Sequence, residues 1–243
     1  MTETTDTAVV LVAGIGSRLR PLTDNVPKAL VPVGRSSILE RAVFTLKNCG
    51  VTSFVFATGY RSDAVESQVK TWGIEAHFFP NPRFDCTQNS ISLLRCSEAL
   101  RGKSFYKLDG DLLFDPLVVE RLSASKCPLA VAVDGKRKLD EEAMKVIVGK
   151  SREILKFGKA IPVCHAQGES IGIERLSATV GAAVLDSIDE LERSGIVDRY
   201  YEDVYASLIE REVISAEAIE VGDLAWTEVD CPDDLERARA IFS

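Results

Sequence analysis

An apolar run, Val9-Val10-Leu11-Val12-Ala13, gives way to Gly14-Ile15-Gly16 and then to Ser17-Arg18-Leu19-Arg20-Pro21-Leu22-Thr23, with Pro27-Lys28-Ala29-Leu30-Val31-Pro32 close behind. No other stretch constrains the fold as strongly. It reads as a buried strand that delivers its chain into a phosphate-binding loop. Gly14 and Gly16 can take backbone conformations closed to other residues and let peptide N–H groups approach phosphate oxygens, while Arg18 and Lys28 supply neutralising charge. Val12, Ala13 and Ser17 complete the candidate loop, and Pro21, Pro27 and Pro32 stiffen the chain beyond it. Two better-known glycine loops fit poorly: a dinucleotide fingerprint needs a third glycine where Leu19 stands, and a Walker loop needs a Gly-Lys-Ser/Thr that is absent. Taken alone, the two glycines serve equally well as a plain strand-to-loop turn.

The rest of the chain alternates helix and strand. Ser36 or Ser37 caps a helix with Leu39, Ala42, Val43 and Leu46 on one face, and residues 54–57 are a buried strand closed by Gly59. Residues 62–72 are again a helix, with Val65 and Val69 inward, and residues 74–79 again a strand. Strands follow at 105–108 and 129–133, and helices begin at Asp115-Pro116 and at Ser177. This alternation predicts an α/β protein: a doubly wound, Rossmann-like, mixed but mostly parallel sheet with helices on both faces. With 243 residues and 46% hydrophobic content the chain can bury one large core, so residues 1–243 are expected to form a single domain.

A net charge of −8 opposes nucleic-acid binding, which is driven by basic surfaces, and points to small-molecule partners. No apolar stretch is long enough to span a bilayer, and the polar residues 1–7 lack the charged start and apolar middle of a signal peptide. A cytoplasmic protein with no membrane partner is expected, and self-association is compatible with it. Six cysteines, with no Cys-x-x-Cys among them, read as reduced and mostly buried thiols. His77 and His165 are the only histidines, so chemistry must come from carboxylates, cations and a bound ion.

Asp109-Gly110-Asp111 closes a central strand, at the end where open α/β sheets bind ligands. Carboxylates there suit Mg²⁺, which takes one or two of them plus phosphate oxygens; a simple turn is the other reading. Thr87-Gln88-Asn89-Ser90 can hydrogen-bond a base or ribose, or cap a helix. The mixed charges from Lys136 to Glu142 read as a solvated loop, followed by two short strands that pair as a hairpin around Lys145 and residues 154–157. Tyr200-Tyr201-Glu202-Asp203 can either hold a quaternary ammonium or anchor a helix to the core.

Taken whole, the first stretch resembles the pattern of the nucleotidyltransferases that activate sugar phosphates and related small phosphorylated compounds: an apolar strand, Ala-Gly-x-Gly-x-Arg-Leu-x-Pro-Leu-Thr, then Pro-Lys-Ala-Leu-x-Pro. Every position is filled here. Thr87, Asn89, Ser92 and Leu93 are similar to a run in the CTP-using members, such as phosphocholine and aminoethylphosphonate cytidylyltransferases, whereas Gln88 departs from the second asparagine those often carry. The resemblance implies a GT-A-like fold with a small β-rich acceptor-binding insertion at about residues 136–176. It implies catalytic roles for Arg18, Lys28 and Lys145, and nucleotide contacts from Val12, Ala13, Gly14, Gly16, Ser17, Thr87, Gln88, Asn89, Ser90 and Asp109. Gly168-Glu169-Ser170-Ile171-Gly172 resembles the segment lining the acceptor pocket, to which Glu169, Gly172, Tyr201 and Glu202 are assigned. Trp226-Thr227-Glu228-Val229-Asp230 looks like the closing motif, which makes Asp230 the second Mg²⁺ ligand beside Asp111; read alone, Asp230 also suits a helix cap.

The implied reaction is attack by a phosphate or phosphonate oxygen of the acceptor on the α-phosphorus of a nucleoside triphosphate, with pyrophosphate leaving. That oxygen is already anionic near neutral pH, so positioning and charge neutralisation suffice. CTP with a phosphocholine, phosphonate or inositol phosphate acceptor is the expected pair, and UTP or dTTP with a sugar 1-phosphate is the alternative. A metal-dependent glycosyltransferase leaves Arg18 and Lys28 without a role, and a nucleotide sensor has no need of both acids.

Overall fold

The computed structural model describes residues 5–242, so residues 1–4 of the polar N-terminal stretch lie outside the described residues. Strands β1 (Thr7–Val12), β2 (Ser53–Thr58), β3 (Glu75–Pro80) and β4 (Phe105–Asp109) run parallel in the order β4-β1-β2-β3. β1 lies in the middle because both its faces are apolar. Val9 packs into one core layer, while Ala8, Val10 and Val12 pack into the layer on the opposite face, as the two-residue period of a strand requires.

Helices α1 (Ile38–Asn48), α2 (Ser62–Lys70), α3 (Asn89–Arg95), α4 (Ser97–Leu100), α5 (Leu117–Ala124), α6 (Ala178–Arg193), α7 (Tyr201–Glu210) and α8 (Pro232–Phe242) cover these faces and the sheet's end. The starts of α1 and α5 follow the capping read from the sequence. Ser37 Oγ accepts the Glu40 N–H at 3.1 Å while the Glu40 carboxylate accepts the Ser37 N–H, and Asp115 accepts the Leu117 N–H at 2.8 Å.

The second half departs from the mostly parallel pattern. The short strand β5 (Leu112–Phe114) is followed by β6 (Leu129–Asp134), the hairpin β7 (Lys145–Val148) and β8 (Ile154–Phe157), the long β9 (Gly168–Leu176), β10 (Ala216–Glu220) and β11 (Trp226–Glu228). β9 lies antiparallel against β4, β6 and β7. The 136–176 region therefore joins the main sheet instead of standing beside it, with β9 hydrogen-bonded directly to the strand that carries Asp109. β5 and β11 form a separate antiparallel pair.

A third, smaller apolar cluster holds the loop after β1 in place. Leu19, Val31, Val33 and Ile38 pack with Leu113 of β5, Val229 beyond β11, and Leu235 and Ala238 of α8. All six cysteines are free, as expected, but of them only Cys96 is buried. The rest sit in turns and at helix ends, where a small thiol is half or fully exposed.

Candidate active site

A cleft of about 720 Å³ opens at the carboxyl ends of β1 and β4, within the size range of small-molecule sites. One wall is the loop after β1. Gly16 sits at φ +67°, and a Cβ there would come within 2.7 Å of Lys28 Cβ, so glycine is what lets the loop lie directly on Lys28. Thr23 fixes the same turn by donating its hydroxyl to the Gly16 carbonyl at 2.8 Å.

The opposite wall is acidic. Asp111 follows β4, and the pairing of Leu112 with Glu228, together with the Val229 N–H donated to the Asp111 carbonyl at 3.0 Å, sets the β11 acids beside it. One carboxylate oxygen each from Asp111, Glu228 and Asp230 lie within 4.8 Å of one another. Lys28 donates to Asp111 Oδ2 at 2.6 Å and also to Asp230, and Arg18 pairs with Asp230 at 2.7 Å. Burial alone would lower the Lys28 pKa, but the two aspartates outweigh it and hold the ammonium above its ordinary value. Burial likewise raises that of Asp230, and Lys28 with Arg18 pulls it below the usual carboxylate range.

Three carboxylates facing one point are hard oxygen donors suited to a divalent cation, and the buried Asp111 Oδ1, which has no protein partner, fits that use. Asp111, Glu228 and Asp230 would hold the ion. Sequence reading missed Glu228, the last residue of β11, two residues before Asp230.

Behind the acids lies a buried polar cluster. Asp109 accepts from the Tyr201 hydroxyl at 2.8 Å and from Lys107 at 3.1 Å, and Lys107, fully buried, pairs with Glu174 at 3.0 Å. Gly172, at φ +83°, presses on this cluster, since a Cβ would fall 2.5 Å from Asp109 Oδ2. Lys107 also sits 3.6 Å from the Tyr201 ring centroid. Tyr201 is therefore a core residue whose ring already faces a cation, and of the expected aromatic and acidic pair it is Glu202 that lines the cleft, with a buried oxygen, Oε2, lacking any protein partner. Burial, with Asp109 adding to it, pushes the Glu202 carboxyl up to about 7.

The structure brings Val12, Ala13, Gly14, Gly16, Ser17, Arg18, Lys28, Thr87, Gln88, Asn89, Asp109, Asp111, Glu169, Gly172, Glu202 and Asp230 to one cleft. It does not bring Ser90, which points inward and donates to the Arg199 carbonyl at 2.6 Å. Nor does it bring Lys145. That buried ammonium donates to the carbonyls of Asp140, Glu141 and Ala143 at 3.0–3.2 Å, so all three of its protons hold the preceding loop. The further cations that line the cleft are Arg137, in the segment read only as a charged loop, and Lys159, just after β8.

A model of the MobA-like NTP transferase domain matches residues 8–203, more than half of the chain. The chain belongs to the MobA-like NTP transferase family. This NTP transferase is 28% identical to a CTP:phosphoglutamine cytidylyltransferase of Campylobacter jejuni, over 94% of this chain and 97% of the relative. It is 29% identical to a CMP-5'-(3-aminopropyl)phosphonate synthase of Streptomyces rubellomurinus over 97% of this chain, which corresponds to 38% of that longer protein. Among solved structures, the inositol-1-phosphate CTP transferase from T. maritima superposes with a TM-score of 0.80 at 23% identity, covering all of both chains. The CTP:phosphocholine cytidylyltransferase from Streptococcus pneumoniae does so at 0.77 and 20% identity, over 98% of this chain and 99% of that one. These structural likenesses carry the fold: the transferase is a GT-A-like, Rossmann-type α/β protein. Among the described residues, no helix is long and apolar enough to cross a membrane.

Proposed function

We propose that this NTP transferase is a Mg²⁺-dependent cytidylyltransferase that moves CMP from CTP to a small phosphate ester or phosphonate and releases pyrophosphate. The observation that carries this reading is the meeting, in one cleft, of the cationic loop of Gly14, Gly16, Arg18 and Lys28 with the acids Asp111, Glu228 and Asp230. The choice of CTP is supported by the relatives named above and by Thr87 and Asn89, which line the cleft.

The loop's N–H groups and Arg18 receive the triphosphate, and Lys28 neutralises charge that shifts onto pyrophosphate as the α-phosphorus is attacked. Asp111, Glu228 and Asp230 would hold Mg²⁺, which when bound would supply Lewis-acid stabilisation of the α-phosphate. The acceptor enters from the side of β9, where Glu169, Gly172 and Glu202 form its surroundings. The unpartnered Glu202 oxygen and the nearby Asp109 favour an acceptor with an ammonium group over a neutral polyol. Residues 1–243 act together as one catalytic domain, with residues 136–176 contributing the acceptor side.

The test is pyrophosphate release from Mg²⁺ with CTP, UTP, dTTP, ATP or GTP against phosphocholine, 2-aminoethylphosphonate, inositol 1-phosphate and hexose 1-phosphates. Release with CTP and an amine-bearing acceptor is expected. Release only with UTP or dTTP and a hexose 1-phosphate would overturn the choice of nucleotide.

A further inference from the structure

Asp134, at the end of β6, is nearly buried and uses both carboxylate oxygens to tie two segments together. Oδ1 accepts the N–H groups of Lys136 and Arg137 at 2.8 and 3.0 Å, and Oδ2 accepts the Trp226 indole N–H at 2.8 Å. The start of the charged loop is thereby pinned to β11, the strand that leads to Glu228 and Asp230. The Arg137 guanidinium lies over the Trp226 ring, 4.7 Å from its centroid, and its Nε faces Glu169 Oε1 at 3.3 Å.

The cation–π contact with Trp226 and this ion pair hold the guanidinium at the cleft wall. Its two terminal nitrogens donate to no protein group among the described residues, and Arg137, Glu169 and Trp226 all line the cleft. A planar fork held by its stem, with its outer N–H groups open to a cleft, matches the geometry of a phosphate or phosphonate better than that of any neutral group. The cleft's other arginine, Arg18, is on the triphosphate loop and paired with Asp230, and Lys28 is between the acids. Lys159, the remaining cation, sits 3.4 Å from the exposed Glu142 at the rim.

Resting on the cytidylyl-transfer reading, we propose that Arg137 is the residue that binds and orients the acceptor's phosphate or phosphonate, with Trp226 and Asp134 as its positioning residues. The arginine clamps two of the anion's oxygens and leaves a third to face the nucleotide.

Steady-state kinetics of Arg137→Ala should show the acceptor KM raised about 10- to 100-fold, the worth of a lost charge-assisted pair of hydrogen bonds, with the CTP KM changed less than about twofold. Arg137→Lys should recover part of the loss, because an ammonium keeps the charge without the fork. A second readout needs no turnover. In a Trp72→Phe background Trp226 is the single indole, and phosphocholine, 2-aminoethylphosphonate or inorganic phosphate should each change its emission saturably, with the response lost in Arg137→Ala. An unchanged acceptor KM in Arg137→Ala, an equal rise in the CTP KM, or transfer of the acceptor effect to Lys159→Ala would each overturn the assignment. Should the wild-type protein turn over no acceptor, the cytidylyl reading fails by itself. The inorganic phosphate titration then still decides the arginine: an Arg137-dependent response supports an anion site, and no response overturns it.

Discussion

The ammonium of Lys28 lies 2.6 Å from Oδ2 of Asp111 and engages Asp230 with the same nitrogen. The cation assigned to the triphosphate thus neutralises, without nucleotide, the carboxylates assigned to the metal. Lys28→Met should therefore tighten Mn²⁺ binding to the nucleotide-free protein by about tenfold or more, because a unit charge about 4 Å away is worth well over the energy of one decade. It should also lower kcat by about 10²- to 10³-fold. Electron paramagnetic resonance of free Mn²⁺ reads the first effect, and an Arg20→Met control, whose charge touches Asp24 instead, should leave it unmoved.

Glu228 is exposed, yet one of its oxygens converges on Asp111 and Asp230. Glu228→Gln should weaken Mn²⁺ binding in the presence of CTP and reduce turnover by about 10²-fold or more, the scale of losing one aimed electrostatic group. Its melting temperature should stay close to that of wild type. Unimpaired metal binding would remove Glu228 from the ligand set.

Lys145 donates to three carbonyls of the loop that precedes it. Lys145→Met leaves those three carbonyls without their partner, of which the bond to Ala143 is buried, at a cost of about 1–3 kcal/mol for each one that finds no water. Faster amide exchange across residues 140–144 and a raised acceptor KM are expected, with little change in the KM for CTP. A CTP KM that rises more than the acceptor KM would return Lys145 to the phosphates.

Glu174 is fully buried, facing Lys107, Asp109, Glu202, Tyr201 and Tyr205, and burial pushes its carboxyl from an ordinary 4.5 up to about 8. Between these values the unfolded chain gives up the proton while the folded protein keeps it, so the native state binds more protons and stability falls as pH rises through that window. Glu202, pushed up to about 7, adds to the slope in its lower part. Urea unfolding at pH 5.5, 7 and 8.5 should show stability declining in this order in wild type, and a shallower decline in Glu174→Gln. A wild-type stability that rises across the window would contradict the assignment.

The loop after β1 was readable because the whole string from Val9 to Pro32 fills one pattern, where its glycines alone suit a plain turn as well, and Asp111 and Asp230 because each follows a strand closely. Glu228 was not, since an acid alternating with Thr227 and Val229 looks like any residue on a solvated strand face. The direction of β9 was equally hidden: a strand's pattern states which faces are apolar, not which way it runs beside its neighbour. Ser90 and Lys145 show a third kind of loss. A hydroxyl or ammonium placed by sequence within a polar stretch can turn inward to a carbonyl, and only the fold says which carbonyls need it. Arg137 belonged to a charge run, and its contacts with Asp134 and Trp226, which lie 92 residues apart in the chain, set it apart from its neighbours.

The small apolar cluster of Leu19, Val31, Val33, Leu113, Val229 and Leu235 makes a yoke of the two walls of the cleft. Cationic loop and acidic strand are bolted to the same block, so neither can recede from the other without opening that block to water. The spacing between the cationic loop and the acidic strand is therefore set by the packing of that block. No residue of β9 belongs to that block, so the wall that β9 forms is held by other contacts.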